Sequence, residues 1–271
     1  MADMKIGVVG AAGRMGGAVI RQVTETAGCV VVAAAETHGS PAVGRDAGLL
    51  AGIGEIGVAV TDNADDLFRA AEAVIEFSVP EATIRNSKIA SNAGCIHVIG
   101  TTGLDGDQET VLRNTARNVP VVYAPNMSLA VNVLFALTRQ VAALLDDEFD
   151  IEIVEMHHRH KVDAPSGTAL GLGRAAAEAR GVTLDETGVF TRHGQTGPRR
   201  RGDIGFATLR GGDVTGDHSV IFAADGERLE LTHKAASRQI FARGAVRAAL
   251  WARNRTPGLY SMQDVLGLSG D

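Results

Sequence analysis

Residues 155 to 170 read EMHHRHKVDAPSGTAL, which puts His157, His158, Arg159, His160 and Lys161 in five consecutive positions. Asp163 and a Pro-Ser-Gly-Thr turn at 165–168 follow at once. Three chemistries could use such a cluster. Zinc is the first, but His157 and His160 are three apart on a strand end or loop, where that spacing does not converge on one face. No second Cys/His cluster supplies further ligands either, so a metal is not expected. A solvated basic loop is the second reading. Against it, the cluster lies between an apolar strand and an N-capped helix, a common setting for ligand sites. The third is a site for anion binding and proton transfer. Gly167 and Thr168 at a helix N-terminus can hold a carboxylate through backbone N–H groups and a hydroxyl. His157, His158 and Lys161 can neutralise carboxylates and move protons near neutral pH. Asp163 can orient a neighbouring cation, and a lysine crowded by other cations is a suitable proton donor.

Several elements must position these residues. Asp150 to Met156 (DIEIVEM) alternates in polarity like a strand and runs into the cluster. Ser166 is a good N-cap for a helix over Gly167–Arg180, which is rich in Ala and Leu. Strands are expected at Ile204–Leu209, His218–Ala224 and Glu227–His233, the last two joined by the hairpin signal Asp225-Gly226. Strands without helices between them imply an antiparallel or mixed open sheet. A helix over Ser237–Arg253 follows.

The first half has a different rhythm. Lys5–Val9 reads as a buried parallel strand, followed by Gly10-Ala11-Ala12-Gly13-Arg14-Met15-Gly16 and a helix over Gly17–Thr26. The spacing is GxxGxxG, because position 12 is Ala. Small residues between a strand and a helix let the backbone approach a pyrophosphate, and the helix N-terminus offers unpaired N–H groups and the positive end of its dipole. Arg14 adds a cation. Val30–Ala35 is the second strand, ending at Glu36, which lies 20 positions after Gly16 where a ribose-binding acid is expected. Thr37 and His38 follow with no adjacent arginine to clamp a 2′-phosphate, so NADH should be accepted at least as well as NADPH. Strands at Ala73–Phe77, Cys95–Ile99 and Val119–Tyr123 alternate with helices at Pro80–Asn92 and Asp105–Arg117. Gly100-Thr101-Thr102-Gly103 and Ala124-Pro125-Asn126-Met127 sit at successive strand ends, where a doubly wound parallel sheet binds ligands. They are read as nicotinamide-side contacts. A long apolar helix over Ser128–Leu145 then leads into the second half.

Composition sets outer bounds. The chain has 271 residues and a formal charge of -6, without a basic patch, so nucleic acid is not an expected partner. No apolar run approaches the ~20 residues of a membrane span, and the N-terminus lacks a signal-peptide layout. The only cysteines, Cys29 and Cys95, lie in apolar stretches and read as packed thiols of a cytoplasmic protein.

The stretch Glu155-x-His157-His158-x-x-Lys161-x-Asp163-x-Pro165-Ser166-Gly167-Thr168-Ala169 closely resembles the signature of the 4-hydroxy-tetrahydrodipicolinate reductase (dihydrodipicolinate reductase) family of bacterial lysine and diaminopimelate biosynthesis. The resemblance extends to GAAGRMG, GTTG, APNM, IGFATLRGGDVTGDH and HKAASR, and so to nearly the whole chain. It implies a Rossmann domain at 1–127 completed by 238–271, and an α+β domain at 128–237 that binds substrate and forms a homotetramer. It implies NADH and/or NADPH as cofactor, contacted by Gly10, Ala11, Ala12, Gly13, Arg14, Met15, Glu36, Gly100, Thr101, Thr102, Ala124, Pro125, Asn126 and Met127. His157 would be the acid/base residue and Lys161 the proton donor, while His158, Gly167 and Thr168 would contact the carboxylates of a small dicarboxylate substrate. Hydride would pass to C4 of the dehydrated ring. One departure is Thr37, where some members carry arginine. Two other readings stay open: a reductase of the same plan acting on an amino-acid-derived imine, and a nucleotide-sensing protein without catalysis.

Overall fold

Short β-branched runs flanked by glycine or polar turns make the strands of the first half, and the computed structural model describes residues 2–268. Residue 1 and residues 269–271, which the expected first domain includes, lie outside the described residues. The chain divides into two units, one running to Leu129 and resuming at Arg238, the other Ala130–Ser237.

The first unit is built on a seven-stranded sheet of β1 (Met4–Val9), β2 (Cys29–Ala35), β3 (Val60–Thr61), β4 (Ala73–Glu76), β5 (Ile96–Ile99), β6 (Pro120–Tyr123) and β12 (Gly258–Tyr260). All pairs are parallel in the order β12-β6-β5-β4-β1-β2-β3. Strand order reverses direction at β1, and the crevice at that switch point is where open α/β sheets take ligands. The helices are α1 (Arg14–Glu25), α2 (Ala47–Ala51), α3 (Ala64–Ala70), α4 (Pro80–Ala93), α5 (Gly106–Thr115), α9 (Gln239–Ala252) and α10 (Met262–Leu266). Met4, Ile6 and Val8 of β1 share one core with Val19, Ile20 and Val23 of α1 and with Ala242, Ala245, Val246, Ala248 and Ala249 of α9. The alanines of α9 keep that helix close to the sheet. A Cβ on Gly244 would lie 1.7 Å from the Met127 carbonyl, so only glycine fits there.

One pair inside this unit is unusual for a core. Glu76 ends β4 and His97 lies on β5, both fully buried, with Glu76 Oε2 2.8 Å from His97 Nε2. Oε1 of Glu76 accepts from Asn86 Nδ2 at 2.9 Å and from the Ser78 hydroxyl. Burial pushes the Glu76 carboxyl up, but the hydrogen bonds from His97, Ser78 and Asn86 outweigh it and leave the carboxyl below its ordinary value.

The second unit holds α6 (Leu129–Leu144, whose first residue belongs to the other unit), β7 (Asp150–His157), α7 (Gly167–Ala179), α8 (Leu184–Thr187), β8 (Gly188–Val189), β9 (Ile204–Arg210), β10 (Gly216–Ala224) and β11 (Glu227–Ala235). Its five strands run β11-β10-β7-β9-β8 and form a mixed sheet. β10 is antiparallel to β7 and β11, whereas β9 is parallel to β7 and β8. The turn at Asp225-Gly226 closes the β10–β11 hairpin, with Gly226 at φ +84°. Alternation buries Ile151 and Ile153 of β7 and Val220 and Phe222 of β10 against Leu172, Ala176 and Ala177 of α7.

Candidate active site

The glycine loop fits a dinucleotide. Gly10 sits at φ +72°, and a Cβ on Gly16 would lie 2.0 Å from the Gly10 carbonyl, so helix and loop approach too closely for any side chain. α1 starts at Arg14, three residues before the position expected from sequence, because Gly16 belongs to the first turn rather than the loop. No side chain caps that N-terminus at Gly13 and no acid lies in its first turn, which leaves it suited to a phosphate. Glu36 accepts from Ala12 N at 3.0 Å on Oε1 and from Thr37 N at 3.1 Å on Oε2. Each carboxylate oxygen keeps acceptor capacity for a ribose hydroxyl. His38 turns to Asp62, with Nδ1 2.7 Å from Oδ2.

The other two loops are tied inward. The Thr101 hydroxyl is buried and accepts from Ser78 N at 3.1 Å and Thr83 Oγ1 at 2.8 Å. Ala11, Ala124 and Met127 are core residues, so at those positions and at Thr101 only the backbone could meet a ligand. Gly100 packs on Phe77, where a Cβ would come within 2.1 Å of the ring. Pro125 is exposed, and Asn126 Oδ1 accepts from Ser128 N at 2.9 Å. Thr102 and Arg14 are exposed, and Met15 is half-buried.

In the second unit the alternation of β7 continues past its apolar residues. Glu155 and His157 stand on the same buried face as Ile151 and Ile153, with Glu155 1% and His157 9% exposed. His157 Nδ1 is 2.5 Å from Glu155 Oε2. Arg210, ending β9, grips Glu155 with both terminal nitrogens at 2.9 and 3.0 Å. Ser166 N donates to Glu155 Oε1 at 3.0 Å. The Ser166 hydroxyl accepts from Ala169 N at 3.1 Å, capping α7 as the sequence indicates, and meets His218 Nε2 at 2.9 Å. His218 lies edge-on to His157, ring centroids 5.1 Å apart.

The loop after β7 carries the remaining cations. His158 N donates to the Val214 carbonyl at 2.8 Å, and a turn returns Lys161 N to the His158 carbonyl at 3.1 Å. Lys161 Nζ binds both oxygens of Asp163, at 2.7 and 2.8 Å. Nδ1 of His158 is buried without a partner in the protein. Gly167 opens α7 exposed, Thr168 stands half-buried beside it, and no acid occupies that helix's first turn.

Electrostatics separate the roles. Burial raises the Glu155 carboxyl, but the hydrogen bonds from Arg210, His157 and Ser166 outweigh it, so Glu155 is held below its ordinary value and ionised at neutral pH. Burial pushes His157 down, and the charges of Lys161 and Arg210 add to that against the pull of Glu155. Burial and the neighbouring His157 take His218 down to about 4. The ion pair with Lys161 lowers Asp163. At neutral pH the site therefore presents the neutral imidazoles of His157 and His218 beside fixed cations.

Glu155, Arg210, Ser166, Gly216 and His218 were given no catalytic role by sequence reasoning. A signal for Glu155 was present: in DIEIVEMH it occupies an apolar-face position, where an unpaired acid is not tolerated. Arg210 lies 55 positions away and only the β7–β9 pairing reveals it.

Fold and site together define a class: a pyridine-nucleotide type α/β unit joined to a mixed-sheet unit bearing a carboxylate-paired histidine among cations. Family models described as dihydrodipicolinate reductase N-terminus and C-terminus match residues 4–127 and 130–266. The 4-hydroxy-tetrahydrodipicolinate reductase of Afipia carboxidovorans is 57% identical over 268 residues, covering 99% of this chain and 98% of that one. That of Rhizobium meliloti (strain 1021) is 57% identical over 267 residues, covering 98% of each. The chain therefore belongs to the dihydrodipicolinate reductase family and is an oxidoreductase. Its fold matches a dipicolinate-bound dihydrodipicolinate reductase from Paenisporosarcina sp. TG-14, with TM-score 0.76 at 21% identity over 97% of this chain and 98% of that one. An amine dehydrogenase from Mycobacterium smegmatis shares the fold at TM-score 0.60 and 14% identity over 96% of this chain and 95% of that one.

Proposed function

We propose that the protein reduces 4-hydroxy-tetrahydrodipicolinate to tetrahydrodipicolinate with NADH or NADPH, in the lysine branch of diaminopimelate biosynthesis. The observation that carries this reading is the joining, at one strand end, of His157, His158 and Lys161 to the first turn of α7 at Gly167 and Thr168, which Ser166 caps and no acid occupies. Such a set suits a small dicarboxylate that must also accept a proton.

In this reading the hydroxylated ring loses water, and a nicotinamide held at the first unit's loops would supply the hydride to C4 of the dehydrated ring. His158 and the Gly167–Thr168 turn hold the carboxylates, through an imidazole and a helix N-terminus. Lys161, poised by Asp163, gives the proton at the carbon next to the hydride acceptor. His157 takes part as acid and base. The cofactor is held at Gly10–Met15, Glu36, Gly100–Thr102 and Ala124–Met127.

On cofactor choice, Thr37 offers no charge to a 2′-phosphate, and His38 is engaged by Asp62, whose carboxylate would repel one. We assign NADH at least equal standing with NADPH. We also assign the protein to the cytoplasm as a homotetramer assembled through the second unit. Free, protonated Cys29 and Cys95 suit that compartment: burial raises both thiols, Cys95 to about 12. Among the described residues, no helix is long and apolar enough to cross a membrane. Light scattering of the purified protein reads the assembly directly.

The test is a coupled assay in which pyruvate and aspartate semialdehyde are condensed in situ and oxidation of NADH and NADPH is followed separately. Turnover by the wild type, reduced about 100-fold or more in Lys161→Ala, is expected. Wild-type turnover in Lys161→Ala would remove the lysine from its role. A folded, NADH-binding sample that oxidises neither cofactor would redirect the search to imine substrates, and then to a sensor.

A further inference from the structure

We infer that Glu155 is the positioning residue of the acid/base histidine: braced by Arg210 and the Ser166 amide, it fixes His157 with its proton on Nδ1 and leaves Nε2 to act on the substrate. This rests on the assignment of His157 above.

The argument begins with donors and acceptors. An ionised carboxylate only accepts hydrogen bonds. Glu155 takes two from Arg210, at 2.9 and 3.0 Å, and one from Ser166 N at 3.0 Å, which commits it to the ionised form. The 2.5 Å contact with His157 must then be donated by Nδ1–H. In a neutral imidazole the second nitrogen, Nε2, carries the lone pair.

The brace is itself fixed from two sides. Arg210 also donates to the Asp163 carbonyl at 2.7 Å and to its neighbour Leu209 at 2.6 Å, so β9 and the Lys161 loop both set its position. Nε2 is kept uncovered by a third strand. A Cβ on Gly216 would stand 2.9 Å from it, and the glycine removes that obstruction. The charged and titratable groups around His157 are Glu155 on β7, Arg210 on β9, Lys161 in the following loop and His218 on β10, with His233 of β11 beyond His218. Among these groups, only Glu155 is an anion, so it is also the group that stabilises the imidazolium once Nε2 has gained a proton. A carboxylate in this relation to a histidine sets tautomer and orientation without itself taking the proton.

Glu155→Gln separates this role from a merely structural one. The glutamine carbonyl can still accept from Arg210 and Ser166, but its amide must face His157 Nδ1. That amide donates, so the imidazole is driven to the Nε2–H form. Long-range ¹⁵N NMR of the histidine side chains reads the tautomer without any substrate. The expected results are Nδ1–H in the wild type and Nε2–H in Glu155→Gln. Turnover should fall roughly 100-fold or more with the dissociation constant for NADH unchanged, and the pH-profile limb belonging to His157 should move to lower pH. Glu155→Asp should recover part of the rate. A wild-type His157 in the Nε2–H form would overturn the inference even if the variant does not fold. So would a folded Glu155→Gln protein with unaltered tautomer, turnover and pH profile. Failure of the reductase reading shows separately, as a wild type without turnover in the coupled assay whose His157 nevertheless switches tautomer in the variant.

Discussion

Among the described residues, two carboxylate–histidine pairs lie on buried strands, Glu76–His97 in the first unit and Glu155–His157 in the second. Both acids are gripped by several donors and both are held below their ordinary pKa. The difference lies in the histidine. His97 is fully buried, gives Nε2 to its acid, packs edge-on against Phe68 at 5.3 Å, and leaves Nδ1 in the core without a partner. His157 gives Nδ1 to its acid and presents Nε2 beside a glycine at the rim of its sheet. The first arrangement ties the end of β4 to His97 near the start of β5, while Glu76 also holds Ser78, whose N reaches Thr101. The second leaves a nitrogen able to exchange a proton. The same two residue types are sealed in the core in one place and suited to proton exchange in the other, and the deciding variable is which nitrogen remains accessible.

Breaking the sealed pair should produce the largest change in stability. His97→Ala takes one of three donors from a fully buried carboxylate, which costs about 3 kcal/mol and lowers the melting temperature by on the order of 10 °C. Activity per folded molecule should stay within a few-fold of wild type. Calorimetry beside the coupled assay checks both, and a small melting shift would erase the distinction between the pairs.

Acid should sharpen the comparison next. Neutral His157 and His218 have folded pKa values below their unfolded value of about 6.5, His218 reaching about 4. The unfolded chain therefore binds more protons over that window, so their stabilisation is complete above about 6.5 and declines as pH falls toward about 4. Glu155 and Glu76 add a loss of the same sign as pH falls through the carboxylate range, since stability from a depressed acid is present only above it. Melting temperature should fall steadily below pH 6.5, and His218→Asn should flatten the slope between about 6.5 and 4. A variant with the wild-type slope would deny His218 its neutral, buried state.

The smallest expected effect concerns substrate capture. Lys161 and the α7 N-terminus attract carboxylates through partly exposed charge, which salt screens. KM should rise a few-fold between low and high ionic strength while kcat holds. A constant KM would place carboxylate recognition elsewhere.

Much of this was legible in the sequence, for local reasons. The alternation of strands and helices, the glycine loop, the Ser166 cap and the Asp225-Gly226 hairpin are each set by residues close in the chain. What was not legible depends on pairing across distance. The strands β3 and β8 have two residues each and carry no period of their own. The segment around α2 is organised by Asp46, whose carboxylate takes the backbone N–H groups of Gly48, Leu49, Ile56 and Val58, a pattern no spacing rule announces. The parallel pairing of β7 with β9 brings Arg210 to Glu155. His157 was therefore found by type and setting, while the groups that orient it needed the fold.

The most direct test of the account is the steady-state rate of His157→Gln in the coupled assay, with its melting curve recorded in parallel. The expected result is a loss of turnover of roughly 100-fold to 10,000-fold, with NADH affinity and melting temperature close to wild type. Turnover within a few-fold of wild type would contradict the claim that the open pair is the seat of proton transfer.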